Sequence, residues 1–384
     1  MTDLPRVQAP EQMIHLGLGQ PGRGLLPGGL LERASAELFA RQDESFLPYG
    51  PARGNPGVRE RLAGFLSDQV TVAPDQLMIT NGNSQALDMI CTLFTRPGDT
   101  ILVEAPTYFL ALRIFSDHGL TMIPVPTDEN GLVPGALEEI LKTCSPAFLY
   151  TIPFYHNPSA VTLSAERQEA VARISGTHGL PVVSDEVYRF LYFDQPPPPS
   201  LGRFHSQCPV LSLGSFSKIL APGLRLGWIH TSPEILKKIT GSGLLRSGGG
   251  VNPFTSAIVD RVVRNGSLAA HIAELRDVYR RRAAVLCGEL REALPRSVSF
   301  TPPRGGYFVW LRFPEGVDCK ALRKTVQKHG VDFYPGSYFS PDRGFASYMR
   351  LSFAMYDEAE LAEGVTRLGR ALKQALPGLY KGSR

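Results

Sequence analysis

Between residues 121 and 185 the chain alternates three β-rich segments with two helix-patterned runs, 133–141 and 164–174, and this order narrows the possible folds more than any other feature. Strand, helix and strand in succession require crossover connections, and crossovers produce parallel strands covered on both faces. The expected class is therefore α/β, with a large, mainly parallel sheet lying between helices. At 384 residues the chain is long enough for a large core and a second, smaller domain. In sheets of this kind the functional groups gather where the C-terminal ends of the strands give way to loops.

The richest such place is Ser212-Leu-Gly-Ser-Phe-Ser-Lys-Ile-Leu-Ala-Pro-Gly-Leu-Arg-Leu-Gly-Trp228. A buried strand, 210–213, runs out into small residues and presents Lys218 ahead of an Ala-Pro-Gly turn. A lysine in such surroundings is poorly solvated, which favours the neutral amine that attacks a carbonyl to make a Schiff base. Ser215, Ser217 and Arg225 bring hydroxyls and a positive fork close to it, which suits a phosphate. Carbonyl chemistry and phosphate binding together suggest pyridoxal 5'-phosphate; the alternative for Lys218 alone is an ordinary surface lysine in a turn.

Other strand ends carry further candidates. The strand 77–80 leads into Asn81-Gly-Asn-Ser-Gln85 and then a helix, 86–94, so that backbone N–H groups converge as they do on an anion. A side-chain cap by Asn83 or Ser84 is compatible with that reading. Asn157 follows the strand 148–151, and Asp185 ends the strand 181–185, with Tyr188 three residues on. Asp185 and Glu186 read poorly as a shared acid/base or metal pair, because adjacent strand residues face opposite sides. Near the end, Arg350 lies in an apolar strand, 348–353, and a buried arginine there needs a carboxylate.

Ser-Phe-Ser-Lys218 with Arg225 seven residues on resembles the cofactor-lysine segment of the class I/II aminotransferases, in the fold-type I pyridoxal phosphate superfamily. The resemblance runs from Tyr49 to Arg350, with the motifs in the family's order. It implies that Lys218 carries the cofactor as a Schiff base and that Asp185 faces the ring nitrogen. Asn157 and Tyr188 would hold the phenolate oxygen, while Tyr108 would stack on the ring, or else be a core aromatic. Gly82, Asn83 and Ser84 would join Ser215, Ser217 and Arg225 around the phosphate. Tyr49 would reach a partner subunit's phosphate in a homodimer, or else be a packed loop tyrosine. Arg350 would grip the substrate α-carboxylate, or else form a structural ion pair. Gly19 and Arg23 would touch substrate at the mouth, although Arg23 also reads as a solvated loop charge. Asn-Pro-Ser-Ala at 157–160 departs from the family's Asn-Pro-Thr-Gly, as does Asn83 from its usual Ser or Thr.

The fold so implied has an N-terminal arm (1–29), a small α+β domain (30–45 with 276–384) and a large cofactor-binding domain (46–275). A long helix, 270–294, would pass from large to small domain with Arg276, Arg280, Arg281 and Arg282 on a solvated face. The expected activity is amino-group transfer between an amino acid and a 2-oxo acid by a ping-pong cycle. The alternative is a lyase with the same cofactor that eliminates a β- or γ-substituent across a C–S bond.

Several other classes are set aside. Forty basic and 36 acidic residues leave a net charge of +4, with no basic block to suggest nucleic acid or an anionic membrane. Five widely spaced cysteines without Cys-x-x-Cys read as buried thiols in a reducing, cytoplasmic setting, with no disulfide frame and no metal site. The N-terminus lacks a signal peptide's apolar run, and no segment approaches membrane-spanning length. Gly17-Leu-Gly-Gln-Pro-Gly22 satisfies G-x-G-x-x-G, yet Pro21-Gly22 and Pro27-Gly-Gly29 forbid the helix that a dinucleotide site requires.

Overall fold

The computed structural model describes residues 12–41, 44–248 and 251–380. The first eleven residues of the expected arm and positions 42–43 and 381–384 of the expected small domain lie outside the described residues.

An eight-stranded sheet forms the centre. Its order is Leu77–Thr80, Gly227–His230, Val210–Ser215, Val182–Asp185, Leu149–Thr151, Thr100–Ala105, Thr121–Asp128 and Gly131–Leu132. The five strands from Val210–Ser215 to Thr121–Asp128 are parallel, whereas Gly227–His230 is antiparallel to both neighbours and Gly131–Leu132 is an antiparallel edge. The sheet is thus mainly parallel and mixed, as the alternating pattern demands. Leu77–Thr80, Val182–Asp185 and Val210–Ser215 are buried throughout, which is what apolar runs without period-two alternation require. Each buried Val, Leu or Ile contributes about 1.5–3 kcal/mol. Because Leu77–Thr80 pairs antiparallel with the reversed strand Gly227–His230, it runs the same way as the parallel set. Thr80, Thr151, Asp185 and Ser215 therefore end at one edge of the sheet.

A second sheet of three antiparallel strands sets Tyr348–Ser352 between Phe308–Arg312 and Tyr334–Pro335. Arg350 stands opposite Trp310 on one side and Tyr334 on the other. The arm is anchored beside it: Ile14–His15 pairs in parallel with Val331–Asp332, and the Gly22 amide donates to the Ala354 carbonyl at 3.1 Å. No helix opens directly on Gly17–Gly22, where a dinucleotide site would need one: the next element is the three-residue 3-10 turn Arg23–Leu25. The helix Gly28–Phe39 starts only after it, at Pro27-Gly-Gly29, which therefore caps a helix and does not forbid one.

Two further expectations need correction. The helix expected from 86 begins at Asn83, runs to Phe94 and has Gly82 at its N-cap, with no side-chain cap, so neither Asn83 nor Ser84 serves that role. The long helix Ser267–Ala293 does not present all four arginines to solvent. Arg282 is buried and its Nη1 donates to the Ala354 carbonyl at 2.9 Å. Arg276 Nε donates to the Phe190 carbonyl at 2.7 Å, and its guanidinium lies over the Tyr192 ring. Loop carbonyls from distant sequence dock onto this face, and helical periodicity carries no trace of them. The helix packs along Glu358–Ala375, and Gly28–Phe39 packs on Pro253–Arg264.

Candidate active site

Four strands ending at one edge place their following residues together. Twelve of the sequence candidates line one cavity of about 290 Å³: Gly19, Asn83, Ser84, Tyr108, Asn157, Asp185, Tyr188, Ser215, Ser217, Lys218, Arg225 and Arg350. Gly82 stands just behind the lining. It has φ +81°, and a Cβ there would meet Arg225 Nη2 at 2.7 Å. Only glycine combines that dihedral with that approach. Arg23 is exposed and outside the cavity, which fits the solvated loop charge and not a substrate contact. Tyr49 is also outside it and 89% exposed.

Lys218 follows the strand Val210–Ser215, and its Nζ donates to the Gly19 carbonyl at 2.7 Å. Burial lowers its pKa to about 8, helped by the nearby Arg350 cation and opposed by Asp185. The rings of Tyr188 and Tyr307 lie 5.9 and 5.4 Å from the ammonium, and the Tyr307 hydroxyl donates to the Lys218 carbonyl at 3.0 Å.

Asp185 is buried, and burial pushes its carboxyl above the ordinary range. Two neutral donors pull it back: Tyr150 Oη at 2.9 Å and Asn83 Nδ2 at 2.8 Å. Asn83, expected to act mainly through its backbone, thus spends its side chain on the carboxylate. Glu186 turns to the other face, where it accepts from Ser184 Oγ and the Leu201 amide, so the two acids do not share a site.

Arg350 is buried among Phe308, Phe339, Tyr334 and Phe109. Its Nη1 donates to Asn157 Oδ1 and its Nη2 to the Gly17 carbonyl, both at 2.6 Å, while Nε has no partner. Burial lowers its pKa to about 10. The structural ion pair entertained for it is absent among the described residues. Because the oxygen of Asn157 is taken, its nitrogen is the atom left to donate into the cavity. On the other wall Ser215 Oγ donates to Ser217 Oγ at 3.0 Å, and Arg225 reaches only the Pro222 and Asn81 carbonyls, at 3.3 and 3.4 Å. The uncapped helix N-terminus at Asn83 completes that wall.

A buried carboxylate held only by neutral donors calls for a cation, and a buried guanidinium held only by carbonyl oxygens calls for an anion. A protonated pyridine nitrogen and an amino-acid carboxylate meet those two needs, and the serine, arginine and helix-end wall meets a phosphate's. The residues present therefore fit pyridoxal 5'-phosphate. Sequence reading missed Tyr150, Tyr307, Phe109, Phe308 and Tyr334. Tyr150 was within reach of register reasoning, since its strand pairs directly with the one ending at Asp185; the aromatic residues come from elements far apart in sequence.

Fold and site together define a pyridoxal phosphate-dependent α/β enzyme. Residues 11–368 match the family model "Aminotransferase class I and II". The 2-aminoadipate transaminase of Thermus thermophilus is 34% identical over 93% of this chain and 89% of its own. Aromatic-amino-acid aminotransferase 1 of Thermococcus litoralis is 30% identical over 98% and 92%. The crystal structure of Pyrococcus horikoshii kynurenine aminotransferase, in complex with PMP, superposes with a TM-score of 0.90 at 33% identity, covering 95% of this chain and 92% of that one. The chain belongs to the class I and II aminotransferases, and it is a pyridoxal phosphate-dependent transaminase. These relatives favour transamination over the eliminating lyase. No helix of the described residues is long and apolar enough to cross a membrane.

Proposed function

We propose that Lys218 is the cofactor-bearing and proton-moving residue of this transaminase. In the same reading Asp185 faces the cofactor's ring nitrogen, Asn157 and Tyr188 its phenolate oxygen, and Tyr108 its ring face. Ser215, Ser217, Arg225 and the turn Gly82, Asn83 and Ser84 surround the phosphate, and Arg350 takes the α-carboxylate of the amino acid or 2-oxo acid. When bound, the cofactor supplies an electron sink for negative charge developing at the substrate α-carbon. Lys218 Nζ, released from the Gly19 carbonyl, would take the proton from the substrate α-carbon as a neutral amine and give it up to the bound cofactor. A pKa near 8 keeps a useful fraction of that amine neutral near neutral pH. Over the full cycle, the donor amino acid loses its amine and two electrons and becomes a 2-oxo acid. The acceptor 2-oxo acid gains both, so no external oxidant is consumed.

The observation that carries this reading is that two buried opposite charges, Asp185 held by neutral donors and Arg350 by carbonyl oxygens, line one cavity with the half-buried Lys218, whose amine donates to the Gly19 carbonyl. Lys218→Ala should abolish the borohydride-sensitive visible absorption of the loaded enzyme and its turnover. A variant that keeps both sinks the proposal.

The same reading extends to the layout, assembly and location of the protein. The division into arm 1–29, small unit 30–45 with 276–384 and large unit 46–275 is supported by the separate three-stranded sheet and the long helix leading to it. A homodimer in which Tyr49 serves the partner's site is supported by that residue's exposure beside Leu47. A cytoplasmic location fits five free cysteines.

A further inference from the structure

The cavity holds three cations, Lys218, Arg225 and Arg350, and each is already committed to cofactor or α-carboxylate in the proposed reading, on which this inference rests. What remains for a substrate side chain is a largely apolar lining drawn from four separate elements. Leu18 comes from the arm, Leu87 from the helix Asn83–Phe94, and Phe109, Leu110 and Ile114 from the helix Phe109–Asp117. Leu110 and Ile114 stand four residues apart and so share one helical face. Phe308 closes the wall from the small sheet.

No cation among the described residues is left over for a second carboxylate. Arg23 is exposed and does not line the cavity, and Arg113, on the same helix as Ile114, is paired with Asp117 at 2.9 Å, also outside the lining. Gln20 and Tyr334 also line the cavity but are neutral, so a distal carboxylate placed there would lose its hydration without gaining a cation, whereas an aromatic or large aliphatic side chain would gain apolar contact. We infer that the amino donor is an aromatic or large apolar amino acid, not a dicarboxylic one, and that the Leu110 and Ile114 face sets the choice. Because both halves of a ping-pong cycle use one site, the 2-oxo acid that accepts the amine is selected in the same way.

The test is a half-reaction with the cofactor-loaded enzyme and one donor at a time, without acceptor, followed by the loss of the visible cofactor band. Phenylalanine, tyrosine and leucine are compared with glutamate and 2-aminoadipate, with alanine as the small reference. The expected result is a kcat/KM for the aromatic donors at least about tenfold above that for the dicarboxylates. Ile114→Arg should narrow that ratio by about tenfold by supplying the missing cation. Glutamate or 2-aminoadipate matching or exceeding phenylalanine overturns the inference while leaving the transaminase reading intact. So does an Ile114→Arg protein that melts like the parent, binds cofactor and shows an unchanged ratio. If no donor, alanine included, alters the band, the transaminase reading itself falls and takes this inference with it.

Discussion

Lys218 and Arg350 are electrostatically linked: the guanidinium is the second cause, after burial, of the low lysine pKa. Removing that cation should therefore raise the lysine value. In cofactor-free protein, the rate at which added pyridoxal phosphate forms the visible band should rise with pH through about 8 and level off above it, since the neutral amine is the nucleophile. In Arg350→Met the midpoint should move upward; an unmoved midpoint argues against the linkage. The same shift has a stability consequence. The folded lysine loses its proton at about 8 and the unfolded one at its ordinary 10.5, so between those values the unfolded chain holds the extra proton. Stability of the cofactor-free protein should accordingly increase with pH across that window as the buried charge is relieved. Asp185 shows what a single sequence could and could not reveal about residues. Its place at a strand end was legible, because a buried apolar run ending in a carboxylate is a local pattern. Its partner Tyr150 is not visible from spacing along the chain and emerges only once the neighbouring strand is set in register with the one ending at Asp185. Tyr150→Phe removes one of its two side-chain hydrogen bonds and should cost about 1–3 kcal/mol in urea unfolding.

At the level of elements, strands were the easiest to read, since short buried runs bounded by small or turn residues are unambiguous when several follow in series. Helix ends were harder. The helix opening the phosphate wall starts at Asn83 with glycine at its cap, and a search for a capping side chain looks past it. Gly82 is nonetheless the controlling residue of this junction. Gly82→Ala would force a φ of +81° on a residue with a Cβ and press that Cβ into the Arg225 fork. The expected result is a loss of about 1–3 kcal/mol in stability. Equilibrium titration should also show weaker cofactor binding, because Arg225 must move; unchanged affinity would show that Arg225 does not contribute. The long helix teaches the opposite lesson. Its arginine-rich face looks solvated by periodicity, yet Arg282 ties it to the Ala354 carbonyl, which also receives the Gly22 amide of the arm. One acceptor thus joins arm, long helix and small-sheet region, three elements that no local pattern connects.

For the molecule as a whole, the parallel sheet and the assembly of a site at its C-terminal edge follow from element order alone, whereas what covers the remaining surface does not. Phe39, Leu47, Tyr49 and Phe254 are 58, 59, 89 and 39% exposed. Phe39, Phe46 and Phe254 also form a ring cluster with centroids about 6 Å apart. Large apolar side chains left together on a surface favour a covering partner, and the homodimer of the proposed reading supplies one. Sedimentation should then give twice the mass of the chain at micromolar concentration. A double substitution Phe39→Glu and Leu47→Glu should shift the protein toward the single-chain mass and weaken cofactor retention at the same time, because each site would lose the tyrosine lent by its neighbour. Tyr49→Phe separates the two effects: it keeps the apolar contact and should preserve the mass while raising the cofactor dissociation constant by several-fold, the loss of about one hydrogen bond to a charged group. A protein that sediments as a single chain yet retains cofactor and full turnover would place the whole site within one subunit and remove Tyr49 from it.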